Sequence, residues 1–104
     1  MIITNTDFVP NREVGQILGL VRGNTIQAKH VGKDIKAGFR NFIGGEIKEY
    51  TEMLSEAREI ALKRMEQKAE KLGADAIINV RFMTSAVMTS AAEILCYGTA
   101  VKLK

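Results

Sequence analysis

Apolar positions recur at a strand period near both ends of the chain and at a helical period in its middle, and that contrast divides the sequence into elements. Residues 2–4 make a short strand ahead of the turn residues Asn5, Asp7 and Pro10. The run VGQILGLVRGNTIQA from Val14 to Ala28 reads as one long strand, bulged or bent near Gly23-Asn24. A hairpin is the alternative there, because that pair tolerates positive φ. Both parities of the run are apolar, with Ile17 and Val21 on one face and Leu18 and Leu20 on the other, the pattern of a strand covered on both sides. After the polar connection His30 to Asp34, the spacing of Ile35, Phe39 and Phe42 or Ile43 predicts a first helix, stopped by Gly44-Gly45. A second helix runs from Glu46 or Ile47 to Leu72, with Lys68 and Lys71 suiting its negative end and Gly73 as the residue that terminates it. The segments ADAIINVRF and AEILCYGTAVKL are two strands joined by the stretch Thr84 to Ala92. The order strand, helix, helix, strand, strand implies an α+β domain with one right-handed crossover followed by a hairpin. There is no internal repeat, linker or low-complexity stretch.

The second helix carries the strongest pattern. At 100° per residue, Tyr50, Leu54, Ala57, Ala61, Met65, Lys68 and Leu72 gather on one side, and Glu49, Glu52, Glu56, Glu59, Lys63, Glu66 and Glu70 on the other. Met53 and Ile60 form one shoulder of the apolar stripe and Leu62 and Ala69 the other. With the shoulders included the arc spans roughly 200°, about twice the ~100° needed to dock on one core. A rod of about 26 residues reaches ~39 Å, against a radius of gyration near ~13 Å for a compact domain of this size. The surplus apolar width predicts a homo-oligomer, in which copies of the chain cover one another.

Composition changes the picture little. The chain has 104 residues, 46% hydrophobic and 26% charged, which suits one domain spanning residues 1–104 with one core. Its formal charge of +3 is spread over both halves, and acids alternate with bases on the long helix. With no aromatic–basic interleaving on the strands, nucleic acid is not an expected partner. No stretch approaches the ~18 apolar residues of a membrane span, so no membrane partner is expected either. The N-terminus lacks the basic and apolar regions of a secretory signal, and a lone cysteine is unlike a small secreted domain, so a cytoplasmic location is expected.

The runs GGEIKEYTEMLSEAREIALKRMEQKAEKLGADAIINVRF and YGTAVKL, together with Arg22-Gly23 in the first long strand, resemble the YbjQ-like family. These are small bacterial and archaeal proteins, uncharacterised, with a heavy-metal-binding label. The resemblance extends over nearly the whole chain. It implies a compact β-α-β-β subunit, like that of dodecin, with the long helix on a small mixed sheet. It also implies assembly into a ring, a pentamer. It carries no settled activity.

The candidate sites follow from residue chemistry. A closed zinc site needs about four soft or borderline ligands, commonly Cys or His at short spacing. The chain offers only Cys96, set among Ile94, Leu95 and Tyr97, and His30, far from it in sequence, so ligand spacing identifies no cofactor and a metal ion would need several copies around a symmetry axis. Buried, Cys96 would act as a small hydrophobe. Met53 and Met65 belong to the helix pattern, and Met83 and Met88 lack clustered soft partners. Gly44, Gly45 and Glu46 open the long helix, where exposed amides could hold a small anion or simply reverse the chain. Arg58 falls inside the apolar stripe and needs a partner, with Glu46 and Glu93 as candidates and Tyr50 two turns earlier on the same side. These groups form either an interface network or a ligand cleft. No nucleophile–base spacing, phosphate loop or GxGxxG follows a strand, so no catalytic residue is assigned. The expectation is a non-catalytic homo-oligomeric module with a small-ligand or metal-ion site between subunits. The alternative is an enzyme acting on a small anionic substrate in a subunit-interface cleft lined by Glu46, Tyr50 and Arg58.

Overall fold

A computed structural model describes residues 1–28, 42–43, 46–88 and 91–104, with side chains in the third stretch from Tyr50 onward. Three long strands carry the architecture: β2 (Val14–Ala28), β5 (Ala76–Met88) and β6 (Ala91–Leu103). They form a four-stranded mixed sheet with the two-residue β1 (Ile2–Ile3), in the order β1-β5-β6-β2. β5 and β6 are an antiparallel hairpin, β2 runs antiparallel along the full length of β6, and β1 adds parallel to the first two residues of β5. Strands of 13 to 15 residues at ~3.3 Å per residue account for the long axis of the chain, 54 Å against 24 and 16 Å across. The radius of gyration, 17.1 Å, exceeds the ~13 Å of a compact domain of this length.

Helix α1 (Lys48–Lys71) lies on one face of this sheet, over β2 and β6. Its sequence is rich in Ala, Glu, Lys, Met and Leu, all strong helix formers. The C-terminus closes as the sequence predicts: Gly73 adopts φ 77°, its amide donates to Glu70, and the Ala74 amide donates to Ala69. The buried row, however, is Met53, Ala57, Ala61, Met65 and Ala69, an unbroken i, i+4 ridge. Lys68 and Leu72, placed by the wheel in the centre of the apolar stripe, are exposed, while Met53 and Ala69, placed on its shoulders, are buried. The physical reason is geometric. An i, i+4 ridge is inclined by about 26° to the helix axis, so a helix docked along one turns its inward direction by about 40° every four residues. Projecting the whole helix onto one wheel smears a narrow ridge into a wide arc. Ile60 and Leu62 are half-buried, and Leu62 packs on the core. The helix thus shelters most of its apolar surface within its own chain.

The ridge sits very close to β2. A Cβ on Gly23 would overlap the Ala61 carbonyl oxygen, the Met65 amide nitrogen and the Arg64 Cβ, so helix backbone rests on strand backbone at this point. Only glycine on the strand and small residues on the ridge permit this approach. Gly23 therefore marks the closest helix contact, and β2 continues through it in unbroken pairing with β6 to Ala28. The predicted irregularity falls earlier, at bulges between Val14 and Gln16 and between Ile17 and Gly19. The second bulge reverses the expected faces: Leu18 and Val21 point at the helix side, and Ile17 and Leu20 point away.

Two further expectations change. Phe42–Ile43 (β3) pairs antiparallel with Glu46–Ile47 (β4), so Phe42 and Ile43 are strand residues rather than the end of a helix. Residues 29–41, with His30, Ile35 and Phe39, and residues 44–45 lie outside the described residues. The stretch read as a connection from Thr84 is strand as far as Met88. Among the described residues, no helix is long and apolar enough to cross a membrane.

The core under the helix contains Val21, Ile77, Val80, Ile94, Cys96 and Ala100 against the ridge. A smaller cluster on the opposite face, Val9 with Ala76, Ile78 and Val101, is closed by the N-terminal segment. Asp75 ties this end together: its carboxylate accepts the Leu103 amide at 2.8 Å, its Oδ1 lies 3.7 Å from Lys102 Nζ, and its own amide donates to Val101. The Leu103 hydrogen bond, aided by the Lys102 and Arg12 charges, holds the Asp75 carboxyl below its ordinary value of 3.8.

Gly23→Ala is expected to remove at least ~2 kcal/mol of stability or to prevent folding, because it forces overlap with two backbone atoms. Gly19→Ala meets open space but must hold φ 133°, which L side chains rarely adopt, so it should lose about 1–3 kcal/mol, still fold, and melt above Gly23→Ala. Thermal melts of the two variants check this, and equal midpoints would contradict it. Asp75→Asn tests the carboxylate. Because the folded-state pKa is lowered, the ionised group stabilises the fold above its unfolded value and that contribution is lost as pH falls through the folded value. Wild type should melt above Asp75→Asn at neutral pH, and the gap should close in acid, below about pH 4. A gap unchanged from neutral pH to pH 2.5 would contradict the assignment.

Candidate functional site

The sequence singles out one group at the start of α1 and two isolated metal candidates, of which the structure describes the side chains of Tyr50, Arg58 and Cys96. Tyr50 is half-buried in the first turn of the helix, and Arg58, two turns along the same i, i+4 row, is exposed. Glu46 belongs to β4 by its backbone, while its side chain, and Gly44 and Gly45 altogether, lie outside the described residues. Glu93 does not meet Arg58 within the chain. It points to the sheet face away from the helix, where its Oε2 accepts Asn24 Nδ2 at 3.2 Å. Arg58 flanks the docked ridge, beside Leu54 and Leu62, so a solvated guanidinium replaces the buried charge expected from the wheel.

Cys96 is fully buried under the helix, where its Sγ lies 3.6 Å from Met65 Sδ. Desolvation pushes the thiol up to about 11, so at neutral pH it is the protonated, weakly nucleophilic form and packs as a small hydrophobe. Met53 and Met65 are core residues, and Met83 and Met88 are exposed on β5. His30 lies outside the described residues, and among those described no three His, Cys, Asp or Glu side chains come together around one point.

The most unusual surface is the sheet face turned away from the helix. Ile17, Leu20 and Ile26 of β2 are 69%, 68% and 59% exposed there, and Met83 of β5 is 53% exposed. Cross-strand register arranges the face in rows. Arg22 is opposite Tyr97, and Tyr97 is opposite Arg81. Asn24, Leu95 and Met83 form the next row, and Ile26, Glu93 and Ser85 the one after. Arg81 is anchored at the covered end, where Nη1 donates to the Asn5 and Val80 carbonyls at 2.9 and 3.0 Å. The surface is thus an apolar band crossed by two arginines and one carboxylate, open beyond the cluster that Val9 closes. On the helix side, β5 also leaves Phe82 exposed, since α1 covers β2 and β6.

Sequence reasoning missed this face because it sought the surplus apolar surface on the helix. The signal was present in β2, whose two apolar parities require two covers. Among the described residues, the chain supplies one.

The chain belongs to the YbjQ family, described as "Putative heavy-metal-binding", whose model matches residues 1–104. It is 64% identical over 104 residues to a UPF0145 protein of Archaeoglobus fulgidus, covering 100% of this chain and 96% of that protein. It is 61% identical over 103 residues to a UPF0145 protein of Methanosarcina acetivorans, covering 99% and 97%, and 62% identical to one of Fervidobacterium nodosum, covering 100% and 96%. A crystal structure of a protein of unknown function of the DUF74 family from Pediococcus pentosaceus is similar with a TM-score of 0.66 at 17% identity, covering 100% of this chain and 98% of that one. That likeness extends the fold to a distant relative.

Proposed function

We propose that this chain is a non-catalytic, cytoplasmic assembly module whose copies join through the open face of the sheet into a closed ring of five. The observation that carries the reading is the exposed apolar band Ile17, Leu20, Ile26 and Met83 on that face. A strand with apolar side chains on both parities is normally buried on both faces, and a contiguous exposed apolar patch on a soluble surface marks a contact site. A second copy is the economical cover, because closed symmetric assemblies satisfy such a patch in every subunit at once. The five-fold count rests on the family resemblance. The clefts between subunits are the place for any small ligand or metal ion, since the thiol within the subunit is neutral and enclosed.

Native mass spectrometry of protein purified without added metal reports subunit number and any retained ion together. Five subunits are expected for wild type. Leu20→Lys with Ile26→Lys should release folded monomer with unchanged far-UV circular dichroism. A wild-type monomer at tens of micromolar, or a double variant that assembles as wild type does, would overturn the reading.

A further inference from the structure

Two grooves on the chain carry opposite charge around similar apolar floors. The first, about 500 Å³, lies between the C-terminal turns of α1 and the outer edge of β2, and is lined by Leu20, Val21, Arg22, Lys68, Lys71 and Leu72. The second, about 440 Å³, lies along the middle of the helix and is lined by Glu56, Glu59, Ile60, Leu62, Lys63 and Glu66. The first presents three cations and no acid, and the second three carboxylates against one lysine. The ion pairs Lys102–Asp75 and Lys104–Glu13 lie outside both grooves, and none between described residues joins the groove charges.

We propose that the basic groove of one copy receives the acidic helix face of the next copy, giving the assembly a fixed head-to-tail order. This rests on the oligomeric reading above and names the contact that sets its polarity. Three observations support it. The charges are complementary, which steers association and penalises the reversed docking, where like charges would meet. The grooves are different surfaces of one chain, so their union is a heterologous contact, the kind that closes into a ring when the rotation is right. The basic groove is also continuous with the open sheet face, since Leu20 and Arg22 border both. The Arg64 guanidinium fixes the groove wall by donating to the Asn24 carbonyl at 2.7 Å, which pins this flank of the helix to the edge of β2. Lys68 and Leu72 extend from that pinned flank, one and two turns further on.

Charge reversal with rescue tests the contact. Sedimentation velocity is run on wild type, Lys68→Glu/Lys71→Glu, Glu56→Lys/Glu59→Lys, and the chain with all four changes, with melts to confirm folding. Each double reversal should raise the concentration of half-dissociation on the order of a hundredfold, and the four changes together should return it to within about tenfold of wild type. Wild-type assembly should also weaken at least about tenfold between 50 and 500 mM NaCl. An assembled wild type indifferent to salt and to both double reversals overturns this contact and leaves the oligomer standing. Doubles that dissociate with no recovery in the fourfold variant also overturn it. A wild type that is monomeric throughout overturns the oligomeric reading and this contact together.

Discussion

The close approach of helix α1 to strand β2 at Gly23 sets the rest of the structure. Backbone meets backbone there, so the strand must carry a glycine and the helix must present its small ridge of Ala57, Ala61 and Ala69. Docking at that distance brings Met65 down onto Cys96 and closes a dry core in which the thiol stays neutral. It also seats the helix mainly over β2 and β6, with β5 joining the core under it through Ile77 and Val80. One face of the sheet is sealed along two strands. The other face, beyond the cluster under Val9, has no cover among the described residues.

That asymmetry gives the fold its most informative surface. Ile17, Leu20 and Ile26 recur along β2 and Met83 stands on β5, and these strands extend past the cluster that the N-terminal segment closes. The polar residues on the same face are placed in register, with Tyr97 between Arg22 and Arg81 and with Glu93 held by Asn24. An apolar band with a small number of fixed charges resembles an interface more than a reaction centre, and it is on this basis that assembly through the sheet is the function put forward.

Much of the fold was legible in the residues. Val14–Ala28 is a strand because its β-branched and aliphatic run has no helical period, and the end of α1 at Gly73 followed from the terminating glycine and the lysines before it. Three features were not legible, each for a physical reason. The extra residue at Leu18–Gly19 flips every side chain before it to the other face, and bulges leave no fixed sequence mark. The helical wheel assumes that a helix meets its core along its axis, whereas this one meets it along an inclined ridge, so Lys68, Leu72 and Arg58 were placed inward and are exposed. Phe42 and Ile43 fit a helical spacing equally well as a two-residue pairing with Glu46–Ile47, since four residues are too few for period to decide. The family could be read from the long matching runs. The location of the uncovered surface could not, because it depends on which strands the helix leaves bare.

The account stands on the open sheet face being covered by a second copy of the chain, and hydroxyl-radical footprinting across a concentration series measures that cover residue by residue. Leu20, Ile26 and Met83 should lose reactivity together as concentration rises, approaching the protection of the buried Met65 and Ile94. If those three side chains react at a constant, unprotected rate at every concentration while Met65 and Ile94 stay protected, the face is open in the folded protein in solution and the account is wrong.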